Sequence, residues 1–499
     1  MEMINQEREP LLRDLVEIAG LMSDKPASKA ELLADADLLA MTLPIPAHLN
    51  ALDPDILLII GGRGAGKSHL FRLINFPGGL QAIGYSGRGA NGIWLVGFST
   101  RPGTVFPGET VLQRFALGKS RTDLMDLWRG LLVGSILMVK DENVTPYLES
   151  LPASLVTTLR DLNAVSAWHP QVVRHLEAVD SFLNRLDDAL ERENRYLVVT
   201  YDDLDVMTVE WDEKRALIQA LLQFWLGQWR RWRRIRPKIF LRRDLFSPDF
   251  LNFPDASKLT GHRFDLVWTP NQLYQLVFKL WANGGDASRS YLERAGLQLR
   301  QDRHLGWIYT SPWPGEPDLR LVVQCIMGQF MGRGKNKGRT FEWVPNHLQD
   351  ANGEIVPRSM LNLFALAAED ELKNQRAGSG LLLAPTSFAA AIEQVSALRI
   401  KELEEEYPWL SALREPLAGQ QVPMIREQAL ELLASVRWEG VTQRPRSTEP
   451  DKLLEHLLEI GILRLTADKR IHVPDIYLSS FGLKRKGGIR RPVSGAQSG

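Results

Sequence analysis

Five short apolar runs punctuate the first half of the chain: Ile56–Ile60, Ile93–Phe98, Tyr196–Tyr201, Lys238–Leu241 and Phe264–Trp268. The first two read as strands buried on both faces, because they lack the polar alternation of a half-exposed sheet. Helical patterns lie between the runs. Arg121–Val139 and Leu151–Leu190 form a helical insertion, in which Asp123, Asp126 and Arg129 recur every third residue and suit one polar helix face. Trp211–Arg236 reads as a helix carrying Leu217, Leu221, Leu222, Trp225 and Trp229, broken by Pro237. The second half predicts helices over Asn271–Ala282 and Asp318–Phe330 and from Pro357 onward. Then come helices at Leu430–Val436 and Leu453–Ile460 and a strand pair, Gly461–Thr466 and Ile471–Val473. Residues 1–50 are polar with helical patches near Leu11–Met22 and Lys29–Met41. Strands alternating with helices predict an α/β fold around a parallel sheet.

The pattern divides into an N-terminal helical extension (1–50), packed on the core or forming an oligomer contact, an α/β core (51–268, with the insertion at about 121–190) and a helical lid (269–378). A C-terminal helix–helix–hairpin region (379–490), the order of a winged helix, and a mobile tail (491–499) complete it. At 499 residues the chain has room for two to four domains. Sixty Lys plus Arg balance sixty Asp plus Glu, so no global basic bias points to nucleic acid. The single cysteine, Cys325, excludes an intrachain disulfide and fits a reducing cytosol. It stands in the apolar run Leu321–Met327 and reads as a core residue. With no apolar signal region and no run of membrane-spanning length, the chain reads as cytoplasmic, with no membrane partner.

The chemistry begins directly after the first run. Gly61-Gly62-Arg63-Gly64-Ala65-Gly66-Lys67-Ser68 fits G-x-x-x-x-G-K-[ST], and His69 leads into a helix. Strand, glycine loop and helix in that order make a phosphate-binding loop. Its glycines let successive backbone N–H groups point at phosphate oxygens, and the helix N-terminus adds a positive dipole end. Lys67 is placed for the β/γ-phosphates of ATP and the Ser68 hydroxyl for Mg²⁺. Lys67 also excludes a dinucleotide fingerprint, since it stands where a third glycine would be needed. The run Tyr196–Tyr201 ends in Asp202-Asp203; Asp202 is assigned to the metal and Asp203 to the base that activates water. Lys238–Leu241 ends in Arg242-Arg243, either of which could sense the γ-phosphate in cis or act in trans as an arginine finger. Arg358, on the first turn of the helix opened by Pro357, gains nothing from the dipole there and is assigned to the nucleotide cleft. His169 and His175 lack metal-ligand spacing, and Gly84–Gly87 lacks the spacing of a nucleophile elbow.

With the glycine loop, YDDLD, FLRRD and VPRS in view, the chain resembles a bacterial P-loop ATPase of the AAA+/STAND type, from about residue 50 to the C-terminal region. YDDLD resembles the hydrophobic-Asp-Asp-x-Asp motif of STAND ATPases, VPRS the sensor-2 position of an AAA+ lid (Arg358) and FLRRD the sensor-1 strand (Arg242 or Arg243). The resemblance implies ATP and Mg²⁺ as cofactors, a homo-oligomer, and a regulatory ATPase that switches a separate effector protein, as in anti-phage systems. No ABC signature and no C-terminal repeat array accompany the motifs. A second reading is a DNA-dependent ATPase or loader. It would use the hairpin region, the Trp-interleaved basic stretch Arg230–Arg236 and the loop Met331–Arg339.

Overall fold

The computed structural model describes residues 2–20, 35–101, 105–141, 144–208, 210–246, 250–332, 335–376, 380–441 and 443–486. The chain forms two compact units, one of Ala34–Gly62 with Gly66–Leu266, the other of Met1–Leu33, Arg63–Ala65 and Val267–Gly499. Among the described residues no helix is long and apolar enough to cross a membrane.

The first unit is built on five strands: β1 (Leu58–Gly61), β2 (Ile93–Phe98), β3 (Leu197–Tyr201), β4 (Ile235–Arg242) and β5 (Arg263–Asp265). They form one parallel sheet in the order β2-β3-β4-β1-β5. The α/β class follows, with the glycine loop leaving β1 at the carboxyl edge, where open parallel sheets bind ligands. β1 and β3 are buried along their whole length, which is why their runs carry no alternation. The helix Lys67–Asn75 buries Leu70, Phe71, Leu73 and Ile74. Phe71 meets Phe240 of β4 edge to face at 5.7 Å, and the Asn75 amide donates to Thr200 Oγ1 of β3 at 2.9 Å.

The insertion extends the same apolar core. One helix, Arg121–Leu137, matches expectation, but the predicted span Leu151–Leu190 is three helices: Ala153–Thr158, Val165–Arg174 and Leu176–Arg192. A Cβ on Gly130 would lie 2.2 Å from the Trp168 ring, so close helix packing requires that glycine. The polar face expected at Asp126 and Arg129 lies inside the fold. Asp126 is buried and paired with Arg129, whose Nε lies 3.8 Å from Asp180.

The helix expected to run to Arg236 ends at Trp229, and β4 begins at Ile235, so Pro237 lies inside a strand. Ile239 donates its amide to Leu57 of the β1 segment. Pro237, two residues earlier, turns the same way, where β1 has not yet begun. The missing N–H therefore breaks no β1–β4 pairing. The buried Lys238 ammonium donates to the Asp53 and Ile56 carbonyls in that gap.

In the second unit the helix Glu2–Gly20 buries Leu11, Leu12, Leu15 and Ile18. Trp281 donates its indole N–H to the Leu11 carbonyl at 3.2 Å, and Ser288 its hydroxyl to Asp14 at 2.6 Å. Arg8 pairs with Glu371, a carboxylate with no exposure that also accepts from the Ala384 N–H and the Ser387 hydroxyl. This N-terminal helix therefore belongs to the same unit as Pro270–Ala282 and Pro357–Asn374. Part of the predicted Lys29–Met41 patch lies outside the described residues; Asp35–Ala40 is helical. The helix expected from Asp318 spans Glu316–Met327 and buries Leu319, Val322, Val323, Ile326 and Met327. Cys325 is exposed, correcting the core assignment: a largely apolar run spanning two helical turns must point some members outward.

Further along lie helices Arg426–Ala434 and Pro450–Glu459 and the hairpin Arg464–Leu465/Ile471–His472. The sequence reading did not foresee the parallel pairing of Gln421–Val422 with Lys484–Arg485. The tail 491–499 lies outside the described residues.

Candidate functional site

The glycine loop curls as its composition demands. Gly64 and Gly66 adopt φ of +80° and +99°, the left-handed region that residues with a Cβ rarely enter. Gly66 is the N-cap of the helix that begins at Lys67, so the dipole's positive end lies at the loop. The Lys67 ammonium bends back over the loop and donates to the Gly61 and Gly62 carbonyls at 2.9 and 3.0 Å. His69 Nε2 lies 2.9 Å from Thr42 Oγ1, which ties this helix to the segment ahead of β1.

β3 and β4 bring charge to the same sheet edge. Asp202 follows β3, and its amide donates to the Phe98 carbonyl of β2 at 3.1 Å. Its side chain is 5% exposed. Burial and the neighbouring Asp203 carboxylate push its pKa up, opposed by Arg101 and by the Ser68 hydroxyl hydrogen-bonded to it. Asp203 takes φ +59°, a left-handed backbone that costs a non-glycine residue about 1–3 kcal/mol. That turn directs its carboxylate to the end of β2, where it accepts the Ser99 hydroxyl at 2.7 Å and the Thr100 N–H at 3.1 Å.

The register pairs Arg242 with Gly61, so the last residue of β4 flanks the loop's first glycine. Asp244 holds Arg242 through two bonds of 3.1 and 3.0 Å, and Asp205 holds it at 3.3 Å. Arg243 turns instead to Asp265 of β5 at 3.4 Å and is the more exposed of the two. Sequence reasoning missed Arg101. It stands three residues beyond β2 and donates at 3.1 Å both to Asp202 and to the Ser68 carbonyl. No motif contains it; the only signal was a cation shortly after a buried strand.

In the second unit, Arg358 on the first turn of Pro357–Asn374 donates to Glu402 Oε1 at 2.9 Å, and Arg399 donates to Glu402 Oε2 at 3.0 Å. The loop residues Arg63–Ala65 group with this unit. A Cβ on Gly64 would lie 3.6 Å from Arg358 Cβ. Arg63 bonds the Glu402 carbonyl and the Glu405 carboxylate, and Trp268 donates its indole N–H to the Ala65 carbonyl at 2.9 Å. Sequence reasoning also missed Glu402, because nothing in its local context separates it from its acidic neighbours.

The basic stretches are engaged within the fold to different extents. Arg231 pairs with Asp180 at 2.7 Å and Arg233 with Glu191 at 2.8 Å, while Arg234 stacks on Tyr196. Trp232 is buried, and its indole N–H reaches Asn184. Of the loop Met331–Arg339, Arg333 lies outside the described residues, and the Met331 amide closes on the Gly338 carbonyl.

No family model matches the sequence, and no curated protein does. Among solved structures, the chain is similar to the Aeropyrum pernix ORC2 protein in its ADPNP–ADP complexes, at 15% identity and a TM-score of 0.37 over 90% of this chain and 91% of that one. It is similar to Cdc6p from Pyrobaculum aerophilum at 12% identity and a TM-score of 0.30, over 90% and 96% of the two chains. The ADP form of the ORC2 protein gives 14% identity and a TM-score of 0.28, over 89% and 91%.

Proposed function

We propose that the chain binds ATP on the Gly61–Ser68 loop and hydrolyses it as an AAA+-type switch acting on a partner protein. One observation carries this reading. A single edge of one parallel sheet bears the glycine loop with Lys67, the Asp202–Asp203 pair and Arg242. The loop amides and Lys67 would bind the phosphates. Ser68 and Asp202 would hold Mg²⁺, and their hard oxygen atoms, already hydrogen-bonded to each other, fit that ion. When bound, Mg²⁺ supplies neutralisation of charge on the phosphates.

Asp203 is assigned the proton of the attacking water, its carboxylate oriented by Ser99 and Thr100. Arg242 is assigned the γ-phosphate in cis, because it neighbours Gly61 and is fixed by two aspartates. Arg358 is assigned to the same phosphates from the lid, on the strength of its approach to Gly64. The helix–helix–hairpin region is read as a winged helix that passes the nucleotide state to a partner. Oligomerisation and a role in defence rest on the motif resemblance alone.

The test is equilibrium binding of a fluorescent ATP analogue together with steady-state hydrolysis, with and without double-stranded DNA. Lys67→Ala should weaken binding by at least about 100-fold, a cost of about 2.7 kcal/mol. Unchanged affinity would overturn the site. Strong stimulation of turnover by DNA would replace the partner-protein reading with a DNA-dependent one.

A further inference from the structure

The turn that follows β2 carries a cation into the acidic pair. Ser99, Thr100 and Arg101 all bond Asp203 or Asp202: the Ser99 hydroxyl and Thr100 N–H reach Asp203, and the Arg101 guanidinium reaches Asp202. The guanidinium is closely fixed. One nitrogen donates at 3.1 Å to Asp202 Oδ2 and at 3.1 Å to the Ser68 carbonyl, and Nε lies 3.9 Å from Asp203 Oδ2. Its Cζ lies over the Phe71 ring, 4.6 Å from the centroid, and its side chain is 12% exposed. The Arg101 amide donates to Ser99 Oγ at 3.3 Å, so the turn is internally bonded as well.

Two adjacent carboxylates, one of them buried, need a counter-cation at this edge. Arg101 bonds both Asp202 and the backbone of Ser68, the two residues assigned to Mg²⁺. A guanidinium and a hydrated Mg²⁺ cannot both take Asp202 Oδ2 at close range, because like charges in a partly buried site repel.

We propose that Arg101 is a resident cation that stands in for Mg²⁺ at Asp202. It lets nucleotide bind without metal, and Mg²⁺ enters only by displacing it from that carboxylate. This rests on the loop being a nucleotide site. A guanidinium can exchange a carboxylate for phosphate oxygens, since Arg recognises both.

The experiment measures the affinity of the full chain for a fluorescent ATP analogue in EDTA and in excess Mg²⁺, for wild type, Arg101→Gln and Arg101→Lys. Wild type should bind within about threefold equally in the two buffers. Arg101→Gln should lose at least tenfold in EDTA while keeping wild-type affinity in Mg²⁺, and Arg101→Lys should keep metal-free binding. Equal EDTA-to-Mg²⁺ ratios in wild type and Arg101→Gln would overturn the proposal. A direct Mn²⁺ titration of the nucleotide-free chain gives an independent readout, with Arg101→Gln expected to bind Mn²⁺ at least tenfold tighter. If wild type binds no nucleotide in either buffer, the ATP reading fails. The Mn²⁺ titration then decides the arginine alone, and equal Mn²⁺ affinities overturn its role. Should Arg101→Gln melt far below wild type, Arg101→Lys carries the Mn²⁺ comparison. A fixed ammonium must then still exclude the ion, and gain of Mn²⁺ binding by that variant overturns the proposal.

Discussion

Two arginine–carboxylate clusters, one in each unit, invert each other's composition. At the sheet edge one guanidinium, Arg101, faces two carboxylates, Asp202 and Asp203. In the helical unit one carboxylate, Glu402, is shared by two guanidinium groups, with Arg358 on one oxygen and Arg399 on the other. The first cluster holds surplus negative charge and suits a further cation. The second places two guanidinium groups on one carboxylate. The clusters also differ in scaffold. The first hangs on strand ends fixed by a five-stranded sheet. The second links helices Pro357–Asn374 and Pro385–Glu406.

The sharpest way to break this contrast is Asp203→Asn. It removes negative charge from the first cluster and should slow hydrolysis about 100- to 1,000-fold while sparing nucleotide affinity. Equal loss of binding and turnover would show Asp203 to be a ligand rather than a base. Next comes Glu402→Ala, which strips the shared carboxylate from Arg399, a side chain only 9% exposed. Stranding a buried charge costs about 3–5 kcal/mol, so a large drop in denaturant midpoint is expected. A loss under about 1 kcal/mol would mean that the arginines find other partners.

Lys279 offers a buried cation outside both clusters. Burial lowers its pKa from 10.5 to about 7. A base whose folded pKa is depressed destabilises the fold fully below the folded value, and that cost fades as pH rises toward the unfolded one. Wild type should therefore gain stability, by up to about 3–5 kcal/mol, between pH 7 and 10.5 relative to Lys279→Met, measured by urea denaturation. Parallel profiles for the two proteins would place the charge elsewhere. The smallest expected stability effect is Arg358→Ala. Glu402 keeps Arg399, so the cost should stay near 1 kcal/mol while turnover falls. A wild-type rate would remove Arg358 from the reaction.

Much of the site's inventory could be read from the chain because its parts are local. The glycine loop needs only a strand, left-handed glycines and a helix start in sequence, and Ile93–Phe98 and Pro357 mark a strand and a helix start where the pattern put them. Strand ends were less legible. The run Lys238–Leu241 grew to Ile235–Arg242 because β3 lies beside it and pairs with Ile235 onward, a partner 38 residues away in the register. Pro237 read as a helix breaker because its exemption depends on where β1 begins.

The sequence by itself determined the alternation of strand and helix, the glycine loop and the two acids that follow β3, since each rests on residues adjacent in the chain. Tertiary structure alone decided that β4 lies between β1 and β3 and brings Arg242 beside Gly61. It also decided that Arg231 and Arg233 pair with the insertion helix Leu176–Arg192, that Cys325 faces outward, and that Arg101 closes on Asp202. The physical reason is the same in each case. A side chain's charge or apolarity is written in the sequence, but its partner is chosen by which elements pack together, and packing is a property of the whole fold.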